Sequence, residues 1–265
     1  MTDAPTTPPA RVVPAVDRAA RILAMLEDER RPLSISEFAS RLSASKGTVR
    51  EVLETLRYHG FVDRDAGSKL YTLGARLIRL GALARSRLGL GETARPYLRE
   101  LAEEVGETAV LLLPQGASLV INEKAEPERR ALPMTVAATI GGSIPLLAGA
   151  CGKVMLAFDG PTARLAAGGG IVPDLPAEEL ALVHARGFAL DDQEFLDGIR
   201  GVSAPVFDED GSLAALILVS GLAASIRFEQ LEEMGEATGR AARQISAALG
   251  APPRAEDLDE SMLNN

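Results

Sequence analysis

The chain has 265 residues, room for one large domain or two ordinary ones, and 46% of them are hydrophobic, enough to bury real cores. No run of about 18 apolar residues offers a membrane span, the N-terminus lacks a basic-then-apolar leader pattern, and a lone cysteine excludes an internal disulfide and suits a reducing cytoplasm. The net charge of −9 hides an asymmetry: residues 1–90 carry 15 Lys+Arg against 10 Asp+Glu, while residues 91–265 carry 13 against 27, the pattern of a basic nucleic-acid-binding module joined to something else.

In chain order, residues 1–11 are rich in Pro and Thr and are expected to be disordered. A first helix is expected over 15–29, with Val16, Ala19, Ala20, Leu23 and Leu26 as its apolar face, stopped by Arg30-Arg31-Pro32. Ile35, Phe38, Ala39 and Leu42 then repeat at helical spacing, and so do Val49, Val52, Leu53 and Leu56. Between them Ser43-Ala44-Ser45 makes a tight turn, with Ser45 placed to cap the second helix. Two short strands, Gly60–Arg64 and Leu70–Leu73, flank a polar turn and complete a winged helix-turn-helix. The second helix opens with small polar and basic groups, as a helix reading the major groove requires. The candidate DNA contacts are Ser36, Ser45, Lys46, Thr48 and Arg50, with Lys69 on the wing.

A helix over 74–90 follows, whose stripe of Leu77, Ile78, Leu80, Leu83, Ala84 and Leu88 is wider than a bare linker needs, so it is expected to pack on a partner chain or the neighbouring domain. Residues 91–250 read as an α+β domain with a mainly antiparallel sheet. Helices are expected over 93–105, 151–158, 176–186 and 227–249, and strands over 108–113, 119–123, 132–136, 188–190, 202–207 and 213–220. The Gly168-Gly169-Gly170 stretch lacks the Lys-Ser/Thr sequel of a phosphate loop. The run 123–130 reads as a solvated loop, and residues 251–265 as an acidic tail.

Several segments in this order resemble the IclR-type transcriptional regulators over nearly the whole chain, from about Val12 to Gly250. They include Arg18-Ala19-Ala20-Arg21-Ile22-Leu23, Gly60-Phe61-Val62, Tyr71-Thr72-Leu73-Gly74, Gly106-Glu107-Thr108 and Gly152-Lys153. Arg186-Gly187-Phe188-Ala189-Leu190-Asp191-Asp192, Ala204-Pro205-Val206-Phe207 and Ser220-Gly221 continue the likeness. The resemblance implies a winged helix-turn-helix (12–73), a linker helix (74–90) and an effector-binding domain with a GAF-like sheet (91–250). It implies dimers or tetramers on palindromic double-stranded operators, regulated by a small-molecule effector, with no cofactor. The family pattern Lys-Ser-Thr-Val-x-Arg departs here to Lys46-Gly47-Thr48-Val49-Arg50-Glu51. One step along a helix turns a side chain by about 100°, so Arg50 is expected to take over the contact and Glu51 to face away or pair.

The same resemblance points to an effector cleft formed by Ala150, Cys151, Asp191, Ile199, Gly201, Leu218 and Ser220, with Val136 and Ile144 as an apolar wall. The residues agree in part. Gly149–Gly152 opens a helix whose free N–H groups favour a carboxylate, Ser220 can donate a hydrogen bond, and Asp191 can accept one. Gly201, Leu218 and Leu147 replace polar residues common in the family, which implies an effector with a larger apolar or aromatic part than a two- or three-carbon acid. Lys153 and Asp191 are candidates for an ion pair. Two histidines and one cysteine form no metal-ligand cluster. The remaining alternatives are an enzyme using Cys151 as nucleophile and a family member that has lost DNA binding through Glu51.

Overall fold

The computed structural model describes residues 11–81, 89–128, 138–166 and 172–253. Most of the N-terminal and acidic tails, the expected strand at 132–136 with Val136, the glycine run 168–170 and linker positions Leu83, Ala84 and Leu88 lie outside the described residues. The chain divides near Gly89 into two compact units.

The first unit contains α1 (Pro14–Glu29), α2 (Ile35–Arg41), α3 (Lys46–Tyr58) and a two-stranded sheet, β1 (Val62–Arg64) antiparallel to β2 (Tyr71–Leu73). Its core is Ile22, Leu26, Leu33, Phe38, Val49, Leu53, Val62 and Tyr71. Leu33 and Tyr71 exchange backbone hydrogen bonds of 3.0 and 2.8 Å, which ties the start of α2 to the hairpin. The buried face of α1 is rotated from the one expected: Ile22 is buried with Leu26, whereas Val16 is 65% exposed. The 3.6-residue repeat allowed both stripes, and only the packing on α3 selects one. Helical backbone resumes at 76–81.

The second unit is a six-stranded antiparallel sheet between two helical layers. Its strands are β3 (Thr108–Gln115), β4 (Ser118–Ala125), β5 (Ser143–Pro145), β6 (Ala189–Asp192), β7 (Ile199–Phe207) and β8 (Leu213–Leu222), in the spatial order β5-β4-β3-β8-β7-β6. On one face α4 (Leu90–Val105) and α7 (Gln230–Ala248) cover Ala109, Leu111, Val202, Ala204, Ile217 and Val219. On the other, α5 (Gly149–Ala166) and α6 (Ala177–Arg186) cover Val110, Leu112, Ala189, Phe207 and Leu216. Alternation along each strand divides the two cores, as a sheet buried on both faces requires.

Three details differ from the sequence reading. The short strand β5 was read as loop, because three residues with one half-buried side chain carry no periodicity. Helix α5 continues past Phe158 to Ala166 through a kink at Asp159 (φ −145, ψ 44), after which Pro161 starts the second stretch where its missing N–H costs little. The supposed solvated run begins inside β4, where Glu123 is 6% exposed and its carboxylate receives Arg95 Nη2 at 2.8 Å.

Candidate functional site

The helix pair α2–α3 is closed by a turn in which Ala44 N–H donates to Ala39 O (3.1 Å) and Ser43 N–H to Ser40 O (3.3 Å). These are the two bonds of a Schellman cap, with Ser43 in the left-handed position at φ 49. Helix α2 is itself capped reciprocally: Ser34 Oγ accepts from Glu37 N–H at 3.3 Å, and the Glu37 carboxylate accepts from Ser34 N–H at 2.8 Å. Those bonds from Ser34, and then Arg31, hold the Glu37 pKa down to about 2. The spacing of Ser34 and Glu37 was available in the sequence as a capping box.

Ser45 caps α3, its Oγ accepting Thr48 N–H at 3.1 Å and lying 2.9 Å from Thr48 Oγ1. Those two candidate contacts are therefore engaged with each other at the helix start. Lys46, Arg50, Glu51 and Ser36 are exposed. Arg31 and Arg41 are held by Glu37 and Glu29, and Arg57 by Glu54, whereas among the described residues no ion pair holds Lys46 or Arg50. The cationic groups available to a phosphate backbone thus cluster on the first turns of α3, beside backbone N–H groups that also favour anions. On the wing, Lys69 adopts φ 63 and its Nζ donates to Ala66 O at 2.6 Å, so it has to swing away from the turn to reach a phosphate.

In the second unit the strand register collects the other candidates. Asp191 pairs with Gly201, Gly201 with Ser220, and Ser220 with Thr108, giving one row across four strands. Ser203, Leu218 and Val110 form the next row, and Ile199 opposite Leu222 the one beyond Gly201. All these side chains face the layer of α5, whose first turn supplies Ala150 and Cys151, both at most 2% exposed. Ile144 on β5 packs against the same cluster. The first regular bond of α5 is Gly152 N–H to Ala148 O at 2.9 Å, so the N–H groups of Gly149, Ala150 and Cys151 precede any acceptor within the helix.

An anion already stands at that helix start. Asp191 Oδ1 accepts Glu194 N–H at 2.7 Å, and Oδ2 lies against Gly149, in the space a Cβ there would need. The expected Lys153–Asp191 pair is not formed. Lys153 Nζ instead meets Glu179 Oε1 at 2.8 Å and Glu194 at 2.7 Å and donates to Leu190 O at 3.0 Å. Burial depresses the Lys153 pKa, yet the Glu179 and Glu194 carboxylates outweigh it and leave it raised. Lys153 therefore fastens α5 to α6 and to the 191–198 turn. One polar group at this site escaped the sequence reading: Ser203 Oγ is fully buried, has no hydrogen-bond partner and neighbours the Cys151 thiol. Its position two residues after Gly201 on β7 was the available signal.

Residues 15–66 match the model of the IclR helix-turn-helix domain, and residues 82–167 and 172–247 match that of the bacterial transcriptional regulator IclR C-terminal domain. The chain belongs to the IclR family. It is a DNA-binding transcriptional regulator of the IclR type. Its relatives include the HTH-type transcriptional regulator BhcR of Paracoccus denitrificans, 34% identical over 253 residues spanning 91% of this chain and 88% of the relative. The glycerol operon regulatory protein of Streptomyces coelicolor is 33% identical over 91% of this chain and 98% of its own. Among solved structures, an IclR transcriptional regulator from Alicyclobacillus acidocaldarius superposes with a TM-score of 0.75 at 30% identity, covering 91% of this chain and all of the other.

For an IclR regulator the state of Cys151 is informative. Burial pushes its thiol up to about 12, with the neighbouring Ser203 hydroxyl pulling weakly the other way. At neutral pH it is a neutral, small apolar group, the opposite of an activated nucleophile. The IclR family consists of regulators rather than enzymes. No helix among the described residues is long and apolar enough to cross a membrane.

Proposed function

We propose that this IclR regulator senses a small organic acid or aromatic metabolite between the start of α5 and strands β6, β7 and β8, and that the ligand changes its hold on a palindromic operator. In this reading residues 12–73 bind DNA, 74–90 link, and 91–250 sense, in a cytoplasmic homodimer or homotetramer. The observation that carries it is the row Asp191–Gly201–Ser220, set opposite the N–H groups of Ala150 and Cys151. Gly201 brings no side chain, and Leu218 and Ile199 bring only hydrocarbon, so the ligand body is apolar and larger than a three-carbon acid. Because Asp191 Oδ2 already occupies the helix start, a ligand group meeting it has to bring a hydrogen-bond donor, such as a hydroxyl, while Ser220 and the α5 N–H groups serve an acceptor. Val136 is a further wall residue in this proposal.

At the operator, Lys46 and Arg50 neutralise phosphates or read base edges, Ser36, Ser45 and Thr48 donate from the helix starts, and Lys69 reaches from the wing. The ligand acts only through its different affinity for two subunit arrangements, one of which matches the half-site spacing. A gel shift with the promoter beside the protein's own gene tests both halves. A retarded complex that responds to an aromatic or hydroxy acid but not to acetate supports the reading. Tight binding of glyoxylate or pyruvate with no response to larger acids would sink the effector assignment and leave DNA binding standing.

A further inference from the structure

A second cavity, of about 540 Å³, lies at the other end of β7. Gly201 and Phe207 are six residues apart on that strand, roughly 20 Å at the rise of an extended chain, so this space is separate from the cleft around Asp191. Its walls come from the end of α6, the second half of α7, Pro205 and Phe207 of β7, Phe158 of α5 and residues 251–253. The volume falls in the range of small-molecule sites.

The chemistry of the lining is unlike the rest of this unit. Residues 91–265 carry 27 Asp+Glu against 13 Lys+Arg, yet the cavity is lined by Arg186 and Arg243 and by no acidic residue. The two arginines are placed by separate devices. Arg186 Nε donates to Phe188 O at 2.8 Å and its guanidinium lies 4.6 Å from the Phe188 ring centroid, which fixes the plane of the group. Its Nη1 is 3.5 Å from Glu232 Oε2, but the Glu232 side chain is 57% exposed and its charge is shared with water. Burial lowers the Arg186 pKa despite Glu232 and Glu179, so its charge is not fully compensated within the protein. Arg243 Nη1 lies over Gly239 and within 4.0 Å of where a Cβ on Gly187 would stand. Glycine at both positions leaves room for the guanidinium next to the residue that follows Arg186. Opposite them Phe158 and Phe207 meet edge to face at 5.6 Å and form a flat aromatic wall.

We propose that this cavity is a second small-molecule site, taking an aromatic carboxylate whose anion meets Arg186 and Arg243 and whose ring lies against Phe158, Phe207 and Pro205. A guanidinium pair suits a carboxylate through paired N–H donors, and a basic lining in an acidic domain focuses anions toward it. The site goes beyond the effector reading and does not depend on it.

The test titrates 4-fluorobenzoate into the full chain, followed by ¹⁹F NMR. Four proteins are compared: the natural sequence, Arg243→Gln, Ala247→Trp, which fills the exposed mouth from a solvent-facing position of α7, and Asp191→Asn, which alters only the other cleft. Thermal unfolding confirms that each is folded, and Ala247→Trp carries the test if Arg243→Gln is not. The expected result is saturable binding that Asp191→Asn retains, that Arg243→Gln weakens about tenfold or more, and that Ala247→Trp abolishes. Absence of saturable binding to the natural protein overturns the proposal. So does binding that survives in a folded cavity variant, or that only Asp191→Asn removes.

Discussion

The carboxylate of Asp191 and the α-carbon of Gly149 are in direct contact, with Oδ2 in the volume that any side chain at 149 would fill. Gly149 also has φ +45, a conformation L side chains rarely adopt. Gly149→Ala is expected to push Asp191 off the start of α5 and to destabilise the sensing unit by about 1–3 kcal/mol. Denaturant unfolding reads the loss. A gel shift with and without ligand should show operator binding that has lost its ligand response.

The recognition helix presents Arg50 and Glu51 side by side and exposed. Arg50→Ala should weaken operator binding and reduce the slope of log affinity against log salt by about one, as expected for one lost phosphate contact. Glu51→Gln should tighten binding by removing a negative charge near the phosphates. Binding and salt slope unchanged in Arg50→Ala would show that Arg50 has not replaced the displaced family arginine.

Cys151 should behave as a core residue. With its thiol pushed up to about 12 by burial, iodoacetamide at neutral pH should modify the folded protein far more slowly than the protein unfolded in guanidinium. Cys151→Ser should still bind operator DNA. Fast alkylation of the native protein would restore the nucleophile reading.

Glu37 gives the helix-turn-helix unit an acid sensitivity. Its pKa is held down to about 2 by the Ser34 bonds and Arg31, below the unfolded value of about 4.3. A depressed acid adds stability above its unfolded pKa, and that stability is lost as pH falls through the folded one. Thermal unfolding should therefore lose stability between about pH 5 and pH 2 more steeply in the natural protein than in Glu37→Gln. Equal slopes would show that the carboxylate interactions persist in the unfolded chain or do not form.

Much of this was legible because it is local. The apolar repeat from Ile35 to Leu56 and the polar turn at Ser43–Ser45 write α2 and α3 within two dozen residues, and the alternating strands of the second unit are equally self-contained. The pairing of Lys153 was not legible, because three carboxylates in its neighbourhood, Asp191, Glu179 and Glu194, are equivalent in sequence and only the packing of α6 selects two. The rotation of α1 toward Ile22 failed for the same reason, since its pattern permits two stripes. The candidate residues Asp191, Gly201 and Ser220 were named through a family likeness. Their lateral alignment depends on register between strands far apart in the chain, which no local pattern encodes.

Strand β8 sits between β3 and β7 and presents Ala215, Ile217 and Val219 to α4 and α7, while Leu216, Leu218 and Ser220 face the opposite layer. The two duties of the strand are thus written at interleaved positions of one short segment. Substitutions at 218 or 220 can retune what the pocket admits while leaving the helix-packing face untouched, so new chemical signals become reachable by single changes. A one-residue insertion or deletion would exchange the two faces and forfeit both. Diversification along this strand should accordingly proceed by replacement, with its length held constant.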